Sequence, residues 1–308
     1  MEIMIGFLSS YERVAQGNGY TYDQYASVVQ ELVLYTSDQM KNPYPFKAYH
    51  KAIRSPTNYQ QFGRSMIRHL IDLENSTLTG TKNLEEITEA IERGENVILL
   101  ANHQIEADPQ VLGLLLEKEY PEISDDMIFV AGERVITDPV AIPFSMGCNL
   151  LCIYSKRYVD NPPEEKEEKL SHNKKTMTLM ANLLSEGGKC IYVAPSGGRD
   201  RRNSQGLIEI APFHPKSVEM FYLMSKRAKS PTHFYPLSLH TYPIMPPPET
   251  VQTELGEART TEGGAVHLHF GAEIDMENFP GKGKNSRENR TIRADYIHSL
   301  VKSAYDKF

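Results

Sequence analysis

Short continuous apolar runs alternate along this chain with longer segments whose apolar positions recur every three or four residues. The runs Val97–Ala101, Met127–Ala131, Asn149–Tyr154, Cys190–Ala194, Phe234–Leu239 and Val266–Phe270 predict strands. The periodic segments Pro109–Glu119, Glu164–Glu186, Pro215–Lys229 and Arg287–Lys307 predict helices. The run VILLA lacks the polar–apolar alternation of a half-exposed strand, as expected for a strand covered on both sides. Strands alternating with helices predict an α/β fold: a largely parallel mixed sheet covered by helices on both faces. Ahead of it, TYDQYASVVQELVLYTSDQM places Tyr25, Val28, Val29, Leu32 and Val33 at helical spacing. Asn42-Pro43-Tyr44-Pro45 ends that pattern, which divides the chain into a small N-terminal helical domain (1–42) and an α/β domain (43–308). The run PPEEKEEK is expected to be a solvated helix start, and Pro246–Pro248 a stiff loop.

Composition narrows the class. The 308 residues carry a net charge of −7, against the basic footprint of nucleic-acid binding. No apolar run approaches the roughly 18–20 residues that a membrane span requires. A soluble protein is therefore expected, with at most peripheral contact with a membrane. Cys148, Cys152 and Cys190 match no zinc spacing and are expected to be buried apolar residues. Basic residues cluster at Lys156–Arg157, Lys174–Lys175 and Arg199–Arg201–Arg202, which suggests a local anion site.

The candidate chemistry lies where strands end. VILLA empties onto Asn102 and His103, and Asp108 follows five residues after the histidine, just ahead of Pro109. In open α/β sheets, ligands bind outside the carboxyl ends of the strands. Asp108 has two compatible readings: the N-cap of the next helix, or a carboxylate reaching one imidazole nitrogen and freeing the other to take a proton. A His–Asp pair of the second kind is a general base for a hydroxyl. Ser196 in VAPSGGRDR is the candidate protein hydroxyl, but the segment does not satisfy G-x-S-x-G, so the hydroxyl is assigned to a substrate. In the same loop Gly197 and Gly198 permit close backbone approach, and Arg199 and Arg201 offer planar forks suited to a phosphate monoester. Lys156 and Arg157 follow another strand and add charge at the same sheet edge.

NHQIEAD resembles the N-H-x4-D motif of the glycerolipid acyltransferases. FVAGERVITDPVAIPFSMGCNLLCIYSKR, YVAPSGGRDR and HFYPLSLHTYPIMPPP resemble later motifs of one branch, the plastid-type glycerol-3-phosphate acyltransferases; HKAIRSP and FGRSMIRHLID also resemble it. The likeness covers roughly residues 43–250. It implies transfer of an acyl group from acyl carrier protein or coenzyme A to the sn-1 hydroxyl of glycerol 3-phosphate. His103 would then be the base, Asp108 its orienter, and Arg199 and Arg201 the phosphate holders, with Arg157 and Lys156 beside them. No cofactor and no metal are implied. The plant members carry a lysine–histidine pair where this chain has Arg157 and Tyr158, so the charge is kept at Arg157 and the imidazole is not. A bacterial cytoplasm is the expected location, or the plastid stroma for a mature plant form. The rival readings are a Ser196-dependent acyl hydrolase and a lysophosphatidate acyltransferase. Leu112, Leu115, Phe144, Met146 and Leu150 are candidates for an acyl groove, Lys174, Lys175 and Arg202 for a carrier-protein surface. His267 and His269 alternate along a strand and are read as ordinary strand residues.

Overall fold

The computed structural model describes residues 2–155, 159–248 and 257–308. From the N-terminus come helices α1 (Glu2–Gly17) and α2 (Tyr22–Lys41), strand β1 (Tyr49–His50), α3 (Tyr59–Arg68), β2 (Thr77–Thr79), α4 (Thr81–Glu92) and β3 (Asn96–Ala101). The middle runs through α5 (Asp108–Leu116), α6 (Pro121–Asp126), β4 (Ile128–Gly132), α7 (Ile142–Met146), β5 (Asn149–Ile153), α8 (Lys166–Glu186) and β6 (Cys190–Val193). The two-residue strands β7 (Arg201–Arg202) and β8 (Ile208–Glu209) follow, then α9 (Pro215–Ser225), β9 (Thr232–His240), β10 (His267–Phe270) and α10 (Ser286–Tyr305).

Eight strands form one sheet in the order β1-β5-β4-β6-β3-β9-β10-β2. The five central strands, β5 to β9 in that order, are parallel to one another. β1 and β10 join antiparallel, and β2 closes the far edge parallel to β10. β3 lies mid-sheet and all six of its residues are buried. Val97, Leu99 and Ala101 face one layer with Leu84 and Ile87 of α4 and Leu112 and Leu116 of α5. Ile98 and Leu100 face the other, with Met180 and Leu184 of α8, Val218 and Phe221 of α9 and Ile297 of α10. The unbroken apolar run thus follows from burial on both faces. Leu99→Ala would leave a cavity costing about 2–5 kcal/mol.

A third apolar cluster joins the N-terminal helices to the rest. Phe7 and Tyr11 of α1 and Leu32 of α2 pack with Phe62 and Met66 of α3, Val111 and Leu114 of α5, and Ile105 and Ile244. The Tyr11 hydroxyl donates to the Met66 carbonyl at 3.0 Å, which ties α1 to α3. Helix α8 begins at Lys166, after a 3-10 turn at Pro163–Glu165, and the PPEEKEEK run is exposed up to Glu168, with Lys169 buried.

Candidate functional site

Because β6, β3 and β9 are parallel neighbours, the segments after Val193, Ala101 and His240 meet at one end of the sheet. His103 stands two residues past β3. Its Nδ1 lies 2.8 Å from Asp108 Oδ2. A carboxylate has only lone pairs to offer, so a neutral His103 carries its proton on Nδ1 and keeps Nε2 as the acceptor. Asp108 is fully buried and receives three further donors: the N–H of Gln104 at 2.9 Å, the N–H of Ile105 at 3.4 Å and the Thr241 hydroxyl at 2.6 Å.

That geometry corrects the N-cap reading of Asp108. The residue is the first of α5; Ala107 holds the cap position and makes no side-chain cap. The carboxylate turns back to the loop that carries His103 instead of to the helix's first turn. The first-turn N–H groups that a cap at this position would hold, those of Gln110 and Val111, go to the Ala107 carbonyl at 3.0 and 3.1 Å.

The residues on either side of His103 are pinned as well. Asn102 is buried and pairs with Leu239 of β9 in both directions: its Nδ2 donates to the carbonyl at 2.9 Å and its Oδ1 accepts the N–H at 2.8 Å. The Gln104 Oε1 accepts from the N–H groups of Thr241 and Tyr242 at 2.8 and 2.9 Å. Both amides also donate to Asp200 Oδ2, at 2.8 Å from Asn102 and 3.3 Å from Gln104. The buried Tyr192 hydroxyl donates to the Asn102 carbonyl at 2.8 Å.

The loop after β6 brings Arg199 and Arg201 to this end of the sheet. Gly197 turns it with φ 66°, a left-handed conformation open to glycine. Arg199 donates through Nη2 to both oxygens of Glu257, at 2.7 and 2.8 Å, and its Nη1 lies 3.9 Å from Glu106. Arg134, just past β4, reaches Glu257 at 3.2 Å. Arg259 bridges Glu106 at 2.9 Å and Asp138 at 3.0 Å, so three guanidinium groups face three carboxylates. Burial alone would lower the Arg259 pKa; Glu106 and Asp138 outweigh it and hold the group above its ordinary value. Arg201 donates to the carbonyls of Arg199 and Pro248, at 3.0 and 3.3 Å. Lys156 and Arg157, with Tyr158, lie outside the described residues.

Ser196 donates its hydroxyl to the Gly198 carbonyl at 2.9 Å, and the Gly197 N–H goes to Ala194 at 3.1 Å. Neither group points its polar atom at His103. Among the described residues, no group of three or more metal-ligand side chains is set to hold an ion. His267 and His269 each pair through Nδ1 with a threonine of β2, Thr77 and Thr79, both at 2.9 Å.

A largely apolar cavity adjoins the histidine. His103, Glu106 and Arg259 line one end, and Phe129, Ala131, Phe144, Cys148 and Leu150 are among its walls. Phe144 and Leu150 of the predicted groove residues lie here; Leu112, Leu115 and Met146 pack in the core instead. The cysteines are free, and burial pushes each thiol up to about 12. Lys174, Lys175 and Arg202 are exposed. Glu106, Arg134, Asp200, Thr241, Glu257 and Arg259 escaped the sequence reading. Glu106 and Asp200 sit inside the two motifs already marked, a signal that was available; the pairing of Glu257 with Arg199 spans 58 residues and left none.

A half-buried histidine paired with a buried aspartate at a strand end, beside an apolar cavity, is suited to acyl transfer, and the chain belongs to the Acyltransferase family, whose model matches residues 79–245. The chain is 40% identical over 268 residues to the chloroplastic glycerol-3-phosphate acyltransferase of Arabidopsis thaliana, covering 87% of this chain and 58% of that protein. The Spinacia oleracea chloroplastic enzyme of the same name is 38% identical over 281 residues, covering 91% and 59%. The chain therefore spans less than two thirds of the length of these curated relatives. A solved structure, the 1-acyl-sn-glycerophosphate acyltransferase of Thermotoga maritima, is 17% identical with a TM-score of 0.46, covering 93% of this chain and 94% of that one. No helix among the described residues is long and apolar enough to cross a membrane.

Proposed function

We propose that this chain transfers an acyl group from a thioester of acyl carrier protein or coenzyme A to the sn-1 hydroxyl of glycerol 3-phosphate, giving lysophosphatidic acid. The observation that carries the reading is the 2.8 Å contact between His103 and buried Asp108 at the mouth of an apolar cavity. The names of the curated relatives supply the substrate.

In this reading the phosphate lies against Arg199 and Arg201, with Lys156 and Arg157 adding charge, and the glycerol hydroxyl reaches His103 Nε2. The imidazole takes the hydroxyl proton as the oxygen attacks the thioester carbon. Asp108 stabilises the imidazolium that forms. The tetrahedral intermediate then collapses, the carbon–sulfur bond breaks, and the imidazolium returns its proton to the departing thiolate. The acyl chain occupies the cavity along Phe129, Phe144 and Leu150, where burial contributes about 0.8 kcal/mol per methylene. The chemistry uses side chains alone, with no metal and no cofactor.

The test is an assay with radiolabelled glycerol 3-phosphate and acyl carrier protein or coenzyme A donors side by side. Labelled lysophosphatidic acid is expected from at least one donor; none from either would refute the reading. The Ser196 hydrolase is disfavoured by the hydroxyl's bond to Gly198. It predicts an acyl-enzyme when donor is added alone, which intact-mass measurement would detect.

A further inference from the structure

Asp200 is a buried carboxyl that the transfer chemistry does not use. It belongs to the arginine loop, yet three consecutive residues of the histidine loop hang from it. Its N–H donates to the His103 carbonyl at 2.7 Å. Its Oδ2 accepts from Asn102 and Gln104, and its Oδ1 accepts from the Ala211 N–H at 2.9 Å. We propose that Asp200 is a positioning residue that locks the histidine loop to the arginine loop, and that His103 is held in register with the anion site only while Asp200 is a carboxylate. The inference rests on the reading of His103 as the base.

The side chain's partners cannot change roles. Asn102 is fixed by its two bonds to Leu239, so its Nδ2 must face Asp200. Gln104 is fixed by Thr241 and Tyr242, which both donate to its Oε1, so its Nε2 must face Asp200. The Ala211 N–H has no lone pair. All three surrounding groups donate, and a protonated carboxyl would present a proton to donors with no acceptor opposite. Relief has to come from movement of a loop. Burial pushes this carboxyl up to about 6, against the pull of Ala211, Asn102, Gln104 and His103. The titratable groups around it are His103, Tyr192 on β6 and Tyr305 on α10, whose hydroxyl accepts from Gln104 at 3.2 Å, with Arg202 acting in turn on Tyr305. The carboxylate form therefore falls away in mild acid.

The measurement is kcat against pH with both substrates saturating. In the unaltered protein, log kcat is expected to fall in mild acid more steeply than in a variant that lacks the Asp200 carboxyl. Asp200→Asn keeps the shape but sets an amide against amides. Its kcat is expected to drop about 10- to 100-fold, the cost of a misplaced reacting group, with KM for glycerol 3-phosphate near its original value and the acid slope reduced by one. An unchanged kcat and slope would overturn the inference, as would a variant that only melts earlier. If Asp200→Asn does not fold, Asp200→Glu gives the same decision: a similar kcat loss with the parent's acid slope kept supports the role, and normal turnover refutes it. His103→Ala, run in parallel, separates the two levels. If it turns over normally, the base reading itself fails; if it is dead while Asp200→Asn is normal, only the positioning role fails.

Discussion

The loop after β3 and the loop after β6 face each other across the site, and they satisfy their polar groups in opposite ways. In the first, His103, Gln104, Ile105 and Asp108 bond within a six-residue stretch, and among the described residues the Thr241 hydroxyl reaches Asp108 from outside. In the second, Arg199 is paired with Glu257 and Arg201 donates to Pro248, both distant in sequence. One loop is complete before any ligand arrives. The other holds its positive charge by means of an internal carboxylate, which a phosphate bound there as proposed would have to displace or share. A base benefits from being fixed in advance, because its geometry sets the rate. An anion site built from paired charges binds by exchange, so its affinity depends on what the counter-carboxylate gives up.

The largest effect is expected where the first loop is broken. His103→Ala removes the proton acceptor and should lower kcat by about 10²–10⁴-fold. The side chain is 29% exposed, so circular dichroism and the melting temperature should stay close to those of the parent protein. Near-normal kcat in this variant would show that the first loop is not the catalytic one. Arg199→Ala tests the second loop and should act on binding: KM for glycerol 3-phosphate is expected to rise about 10- to 100-fold, the range of a lost charge-assisted contact of about 1.5–3 kcal/mol. A fall in kcat with unchanged KM would move Arg199 from holding the substrate to the chemical step.

The same contrast governs what could be read from the sequence. The β3 loop was legible because its partners lie close together: an apolar run, a histidine, and a carboxylate five residues on. The five central strands were legible because burial on two faces leaves unbroken apolar runs such as VILLA. β1 and β2 were not, having two and three residues at the sheet's edges, too few to show a period. Helix α3 was passed over because Gly63 and Arg64, normally helix-weak or exposed residues, are both buried in it, the arginine against Ser124 and Asp125. The arginines of the β6 loop were visible, but their pairing was not. Nothing local to Arg199 announces Glu257, and a sequence shows charges without showing which of them have met. For Asp108 the local signal, a carboxylate before proline, is the same for a cap and for a partner of His103. Its bonds to His103, Gln104, Ile105 and Thr241 show which way the carboxylate turns.

A smaller effect tests how far the His103–Asp108 pair depends on the hydroxyl that reaches Asp108 from outside the loop. Thr241→Val keeps the shape and removes the hydroxyl that donates to Asp108 at 2.6 Å. Asp108 keeps His103 and the two N–H groups, so the pair should survive with looser aim. A loss of about 0.5–1.5 kcal/mol corresponds to kcat lowered by about 2- to 13-fold, with KM for either substrate little changed. An unaltered kcat would mean that the loop is self-sufficient, and the contrast with the second loop would then be sharper.

The smallest effect tests the exchange idea directly. Glu257→Gln removes the negative charge from Arg199 and Arg134 while retaining an oxygen that accepts a hydrogen bond. If a phosphate has to compete with the buried Glu257, the variant should bind glycerol 3-phosphate more tightly, with a lowered KM. Added salt should change the difference little, because a buried pair is only weakly screened. The opposite result, a raised KM, would mean that Glu257 aims Arg199 at the phosphate. Both of its oxygens contact Nη2 alone, which leaves the Nε edge of the guanidinium without a described partner. In that case the second loop, too, is fixed before its ligand arrives, and the two halves of the site differ only in how far along the chain their partners lie.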